Sequence, residues 1–231
     1  MLFISPPFGN YLSLDKTTSI KGSFTLLPRQ GLVLQILKTL RYSFFYSGWV
    51  NKIGLRNKGI DWAVKNHNVQ DICSIAICKE DEIDCIKSKI PTNLNIEINI
   101  SCPNVEKETI NKGLQNFLND KRKWCILKLS PITKFSDIDN YYKMGFRQFH
   151  CCNTIPIEEG GLSGKNIKPI SIKMISYIKN KYNDSEIIAG GGIQNIEDIE
   201  DYKKAGADHF SVSSLCFNPF LFMKLYYNYK D

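Results

Sequence analysis

The sequence predicts an α/β fold, a parallel sheet closed into a TIM (β/α)8 barrel whose first βα unit is short or irregular. Three observations predict it. From Ile72 onward, short β-rich apolar runs alternate with amphipathic segments in six successive units, the pattern of βα units on a parallel sheet. The runs end in polar or small residues, Asn99 to Cys102, Lys128 to Ser130, Cys152 to Thr154, Ala189 to Gly192 and Ser213 with Ser214, which a barrel would gather on one rim. The last two ends, AGGGIQ and SVSSLC, offer bare glycines and hydroxyls where barrels of this kind commonly hold phosphate.

The first part of the chain must supply two units, and its strand candidates are Leu2 to Ser5 and Ser19 to Phe24, with a helix over Gly59 to Lys65. Between Asn10 and Lys21 there is little room for a full helix, which makes the first unit short. Strands follow at Ile72 to Ile77, Leu94 to Ile100, Trp124 to Leu129, Gln148 to Asn153, Glu186 to Gly190 and His209 to Ser213, each a β-branched or apolar run of strand length. Helices are expected at Asp81 to Ser88, Lys107 to Asn119, Phe135 to Met144, Ile167 to Lys179, Ile196 to Gly206 and Asn218 to Tyr227. An open doubly wound sheet shares this βα pattern, and only the placement of special residues favours the barrel.

A chain of 231 residues, 43% of them hydrophobic, can bury one large core, so a single domain over residues 1–231 is expected. It holds no apolar run of membrane-spanning length, and MLFISPPFGNYL lacks the basic and apolar regions of a secretion signal, so a cytoplasmic protein is expected. The eight cysteines sit mostly within apolar runs (DICSIAIC, WCILKL, FHCC) and read as reduced thiols. Cys73, Cys78 and Cys85 do not form a C-x-x-C pair and there are three histidines, so no metal is expected. The net charge of +7 is scattered, as on solvated faces, and leaves an anionic ligand or a nucleic acid open.

Cys102 stands in IEINISCPN, where the strand is exhausted at Ile100, Pro103 forces a turn, and asparagines on both sides can orient a planar hydrogen-bonding ligand. A cysteine at a strand end is ordinarily a small buried hydrophobe, but in this setting its thiol could serve as nucleophile or general base. Lys128, in ILKLSP, alternates with apolar neighbours and needs an anionic partner if it points inward, which a flavin ring or a phosphate could supply; an edge lysine reaching solvent is the alternative. GGLSGKNIKP suits either a flexible loop or a cofactor lid before a helix. AGGGI is not the G-x-G-x-x-G fingerprint, which excludes a dinucleotide-binding Rossmann site.

With these segments in view, IEINISCPN, LKLSP, CCNTIP, GGLSGKNIKP, IIAGGGI and GADHFSVSSL resemble, in order and rough spacing, the dihydroorotate dehydrogenases, FMN enzymes on a TIM barrel. The similarity runs from about Asn51 to the C-terminus; upstream, SIKGSFTLLPRQG and GWVNKIGLRNKGID resemble the family's lysine-bearing strand and its substrate-binding asparagine loop. A cysteine rather than a serine at position 102 resembles the soluble class, whose thiol is the catalytic base.

The resemblance implies that Cys102 removes a proton from C5 of dihydroorotate while FMN accepts a hydride from C6, giving orotate in pyrimidine (UMP) biosynthesis. It implies that Asn51, Asn99, Asn104, Asn153 and Thr154 bind the substrate. It further implies that Lys21, Asn99 and Lys128 lie along the flavin, while Gly164, Gly191, Gly192, Ser213 and Ser214 hold its ribityl and phosphate. A homodimer and, for electron disposal, fumarate or a separate electron-transfer subunit are implied by the soluble relatives.

The departures are a chain shorter than the family's and below the roughly 250 residues of a typical barrel, a segment KGSFTL one residue longer than the family's version, and an abbreviated loop PNVEKETINKG. Two other readings keep a flavin barrel: a reductase of another dihydropyrimidine, either free base or tRNA dihydrouridine, and a non-catalytic FMN- or phosphate-binding relative. Against the tRNA enzyme stand the lack of a helical RNA-binding domain after the barrel and the lack of a dense basic patch.

Overall fold

The computed structural model describes residues 1–100 and 113–230. Eight parallel strands close into a barrel: β1 (Leu2–Ile4), β2 (Thr17–Phe24), β5 (Ile72–Ala76), β6 (Ile96–Asn99), β7 (Cys125–Lys128), β8 (Gln148–Cys151), β11 (Glu186–Gly190) and β12 (His209–Val212), with β1 hydrogen-bonded to both β2 and β12. Closure excludes the open doubly wound sheet. Each strand alternates between two buried faces, so apolar residues fill both. Phe3, Ile20, Ile72, Ile126 and Ile188 point inward and meet with Trp124 in the barrel interior, while Ile75, Ile98, Leu127, Phe149 and Ile187 belong to the core shared with the helices.

Between β1 and β2 there is only a 3-10 turn, Phe8–Asn10, as the short spacing predicts. The later helices are α2 (Ile60–Asn66), α3 (Ile83–Lys89), α4 (Phe135–Lys143), α5 (Lys168–Lys181), α6 (Ile196–Lys204) and α7 (Pro219–Asn228), each close to its expected span. The last two begin at Asn195 and Asn218, whose side chains accept from the backbone N–H groups of Asp198 and Leu221, satisfying donors that a helix start leaves open. Of the helix expected over Lys107 to Asn119, the described part is a 3-10 turn at Leu114–Phe117.

A second sheet stands apart from the barrel and was not predicted. Its strands β3 (Arg41–Ser43), β4 (Gly48–Asn51), β9 (Ile155–Ile157) and β10 (Gly160–Gly164) pair antiparallel in the order β3-β4-β10-β9. GGLSG, read from sequence as a loop or lid, is therefore a strand. Gly160 is obligatory there, because a Cβ would lie 2.2 Å from the carbonyl oxygen of Asn51. Helix α1 (Leu32–Thr39) precedes this sheet and buries none of its residues.

The extra residue in KGSFTL is a β-bulge. Lys21 pairs with Cys73 and Phe24 with Ile75, so β2 spends one residue more than β5 over the same span. Gly22 permits it, with φ of 121° and room for a hydrogen alone against the Ser74 carbonyl. The bulge turns Ser23 to the inner face, where its hydroxyl meets those of Ser74 and the Asn99 amide.

Ile126 sits in the interior layer with no exposed surface. Ile126→Ala is expected to cost about 2–5 kcal/mol through lost burial and the cavity left behind, measured as a lower midpoint in urea unfolding with an unchanged slope.

Candidate active site

One pocket opens on the rim formed by the C-terminal ends of the barrel strands, under the small sheet. Its walls include Asn51 from β4, Lys128 at the end of β7, Asn153 and Thr154 after β8, Gly164 from β10, Gly191 and Gly192 after β11, and Ser213 and Ser214 after β12. These residues lie far apart in sequence, and barrel closure brings them together. The small sheet is fastened to the rim by Trp49, whose ring stacks on Phe217 at 4.1 Å, and Phe217 also meets Phe8 edge-on at 4.8 Å.

The glycine and serine loops are shaped by close contacts. Gly191 and Gly192 have φ of 94° and 75°, and a Cβ on either would lie within 2.8 Å of Ile167 or Lys165. The Tyr202 hydroxyl donates to the Gly191 carbonyl at 2.6 Å and anchors that turn from α6. Ser213 donates to the Pro6 carbonyl at 2.7 Å, tying the last barrel loop to the first.

Below the pocket lies a polar cluster that the sequence reading missed. Register places Asn99, Lys128 and His150 side by side on adjacent strands. Beneath them Glu97, with no exposed surface, accepts from the Ser74 hydroxyl at 2.8 Å and meets His150 Nδ1 at 2.6 Å and Lys128 Nζ at 3.5 Å. Burial pushes the Glu97 carboxyl up, but Lys128, His150 and Ser74 together outweigh it and hold the group down at about 2. Burial and the Lys128 charge push His150 below the ordinary histidine value, against the pull of Glu97. A neutral imidazole beside an ionised carboxylate carries its proton on Nδ1, because the carboxylate can only accept. The anionic partner that Lys128 requires is thus Glu97, a residue of the protein itself. Its signal was present in the sequence, since Glu97 alternates with Asn99 on the inward face of β6.

Asn99 is buried beside this row: its Nδ2 donates to Ser23 Oγ at 2.7 Å, and Asn153 Nδ2 approaches its Oδ1 at 3.5 Å. Lys21 is not at the pocket. It follows inward-facing Ile20 in β2, so it points to the helix side, where it pairs with Asp71 at 2.7 Å. The expected place along a flavin is thereby corrected by strand parity. Cys102 and Asn104 lie outside the described residues. Cys152, which does line the pocket, is held as a neutral thiol, pushed up to about 12 by burial despite Ser171 and Lys128.

The profile of the family described as dihydroorotate dehydrogenase matches residues 138–226. Over 92% of this chain and 81% of the relative, the sequence is 32% identical to the dihydroorotate dehydrogenase B (NAD(+)) catalytic subunit of Petrotoga mobilis. The protein of the same name from Thermotoga petrophila is 28% identical over 94% of this chain and 93% of its own length. Among solved structures, the dihydroorotate dehydrogenase of Eimeria tenella in complex with ferulenol superposes with a TM-score of 0.68 at 18% identity, covering 90% of this chain and 72% of that one. Its ligand-free form also gives 0.68 and covers 97% and 81%. At such identity the superposition establishes a shared barrel.

The cluster makes acid stability predictable. Glu97, lowered in the fold, contributes stability that is fully present above the ordinary carboxyl value of 4.5 and lost as pH falls toward about 2. His150, also lowered, adds an earlier loss that begins below 6.5, where the unfolded chain binds a proton that the folded one refuses; His67 acts in the same direction. Unfolding free energy from urea titrations is expected to fall in two stages as pH drops, and His150→Gln is expected to shrink the upper one and, because His150 helps to hold Glu97 down, part of the lower one as well. A variant whose upper stage equals that of the parent would show that His150 is not the group responsible.

Proposed function

The chain belongs to the dihydroorotate dehydrogenase family, and from that premise we propose that it oxidises dihydroorotate to orotate with bound FMN, the whole chain acting as one catalytic unit. The observation that carries this reading is the convergence of amide side chains, a buried lysine and two phosphate-type loops on one rim pocket.

The residues present fit FMN. The turn at Gly191 and Gly192 lines the pocket, held at positive φ against Ile167 and Lys165, and together with Gly164, Ser213 and Ser214 it offers the backbone donors and close approach that a ribityl phosphate needs. Lys128 brings a cation to the floor, suited to an electron-rich ring. FMN, when bound, supplies the acceptor for the hydride that leaves C6 of the substrate.

The chain's own residues do the rest. Asn51, Asn99, Asn153 and Thr154, joined by Asn104, supply uncharged donors and acceptors for the ring amides and carboxylate of a planar substrate. Asn99 and Asn153 are already oriented by Ser23 and by each other, which lowers the entropy lost on binding. Cys102 removes the proton from C5, the role the family's cysteine has. A thiol with an ordinary value near 8.5 is a modest base at neutral pH, so activity rises with pH. The small sheet roofs the pocket and excludes water, which strengthens each of these interactions.

Electrons leave through a separate protein. The relatives' names speak of a catalytic subunit and of NAD(+), and we infer an electron-transfer partner of that kind here. Among the described residues no helix is long and apolar enough to cross a membrane. We also infer self-association through α1 and the adjoining hairpin, where Leu37, Phe44 and Phe45 are 79%, 88% and 87% exposed.

Purified protein is expected to show flavin absorption that bleaches on anaerobic addition of dihydroorotate; flavin that does not bleach would point to another dihydropyrimidine or an inactive site. Cys102→Ser is expected to keep flavin and substrate binding and lose flavin reduction by about 100-fold or more at neutral pH, and wild-type reduction by that variant would remove the cysteine from the base role. Phe44→Ser combined with Phe45→Ser is expected to convert a dimer to a monomer in sedimentation, with stability changed by less than about 0.5 kcal/mol. A parent protein that is monomeric at every concentration would rule this surface out as a self-contact.

A further inference from the structure

His150 lines the pocket and has no part in the chemistry assigned above. Its ring is 2% exposed, and its Nδ1 is committed to Glu97 at 2.6 Å. The opposite edge, Nε2, lies over Gly190 on the neighbouring strand: a Cβ at position 190 would come within 2.7 Å of it. The first glycine of AGGGI therefore makes room for an imidazole rather than for phosphate.

The groups that face His150 define its electrostatic setting. Lys128 stands beside it on β7 and Glu97 beneath it on β6, with Ser74 behind Glu97 on β5. Cys152 follows it on its own strand side as a neutral thiol, and β11 contributes glycine. Among the described residues the charged groups in contact with this ring's surroundings are one carboxylate and one ammonium, which balance. A neutral imidazole completes an uncharged cluster, and a negative charge arriving in the pocket shifts that balance toward imidazolium.

We propose that His150 is a proton store for the pocket, binding a proton from solvent on Nε2 when negative charge develops on the electron-accepting ring and releasing it when that charge departs. The inference rests on the flavin reading. In the balanced step a hydride carries two electrons from C6 of the substrate to the neutral ring, which gains one negative charge. The substrate's C5 proton goes to the base, and one proton moves from water to His150. No other oxidant or reductant is needed.

The test uses the full chain labelled with 15N-histidine and reconstituted with FMN. Only three histidines exist, His67, His150 and His209, so the signals are assignable by loss in His67→Gln and His209→Gln even if His150→Gln fails to fold. The His150 titration midpoint is expected to rise by about one pH unit or more when the flavin is reduced with dithionite. A midpoint that is unchanged or lower on reduction overturns the proposal. A second readout is the pH dependence of the flavin midpoint potential: the parent is expected to show a proton-linked inflection that His150→Gln lacks, and superimposable profiles overturn the proposal. Failure to bind FMN at all overturns the functional reading and this inference together, whereas flavin that binds and reduces beside an unresponsive His150 overturns this inference alone.

Discussion

A carboxylate with no exposed surface stands inside the barrel, and the floor of the pocket is arranged around it. Removing a charge from water is costly, and Glu97 is tolerated only because an ammonium, an imidazole and a hydroxyl are all directed at it. Each of these partners is in turn held by the one they share. Lys128 can remain buried below a ligand site since its charge is already balanced, and the His150 ring is fixed in plane and tautomer by the same carboxylate. The strands carrying the four residues are β5 to β8, consecutive neighbours around the barrel. The ion cluster therefore fixes register across half of the closed sheet, because a one-residue slip would turn Glu97 or Lys128 to the apolar outer face.

The same parity governs what reaches the pocket from β2. Without the bulge at Gly22, Ser23 would face the helices and the Asn99 amide would lose the oxygen it donates to. With it, Ser23 connects Ser74 to Asn99, so the hydroxyl and amide network extends from the buried carboxylate to the rim. Lys21, one residue before the bulge, is left on the outer face with Asp71. A single inserted residue thus brings Ser23 rather than Phe24 to the interior, and the ammonium of the pocket floor is that of Lys128, balanced by Glu97.

The barrel was legible in the sequence because its strands are buried on both faces and read as short apolar runs, and because polar ends such as Lys128 to Ser130 and Cys152 to Thr154 interrupt them at the same relative point. The rim residues were legible for the same reason. The small sheet was not: β10 is glycine-rich and β3 and β9 have three residues each, so no hydrophobic periodicity marks these strands; α1 carries an apolar helical pattern in LVLQILKT, but buries none of it. Lys21 was misplaced because alternation was not counted from Ile20. Glu97 and His150 were passed over because a charged residue in a strand ordinarily signals an exposed face, and the reading that would have found them is pairwise: an inward lysine on one strand implies an inward acid on another.

A neutral but ionisable floor has a consequence for a site that accepts electrons. A cluster with a fixed surplus of positive charge would stabilise the electron-rich state of a bound ring permanently, favouring its reduction and opposing its reoxidation. A balanced ion pair with a histidine attached does neither at rest. It offers positive charge only while negative charge is present, because the imidazole binds its proton in response to that charge. Gly190 is the structural condition for this: it leaves Nε2 uncovered by a neighbouring side chain, while Glu97 secures the other nitrogen. Glu97 is closed off from water while His150 and Lys128 line the pocket, so the charge the cluster senses is that of whatever occupies the pocket.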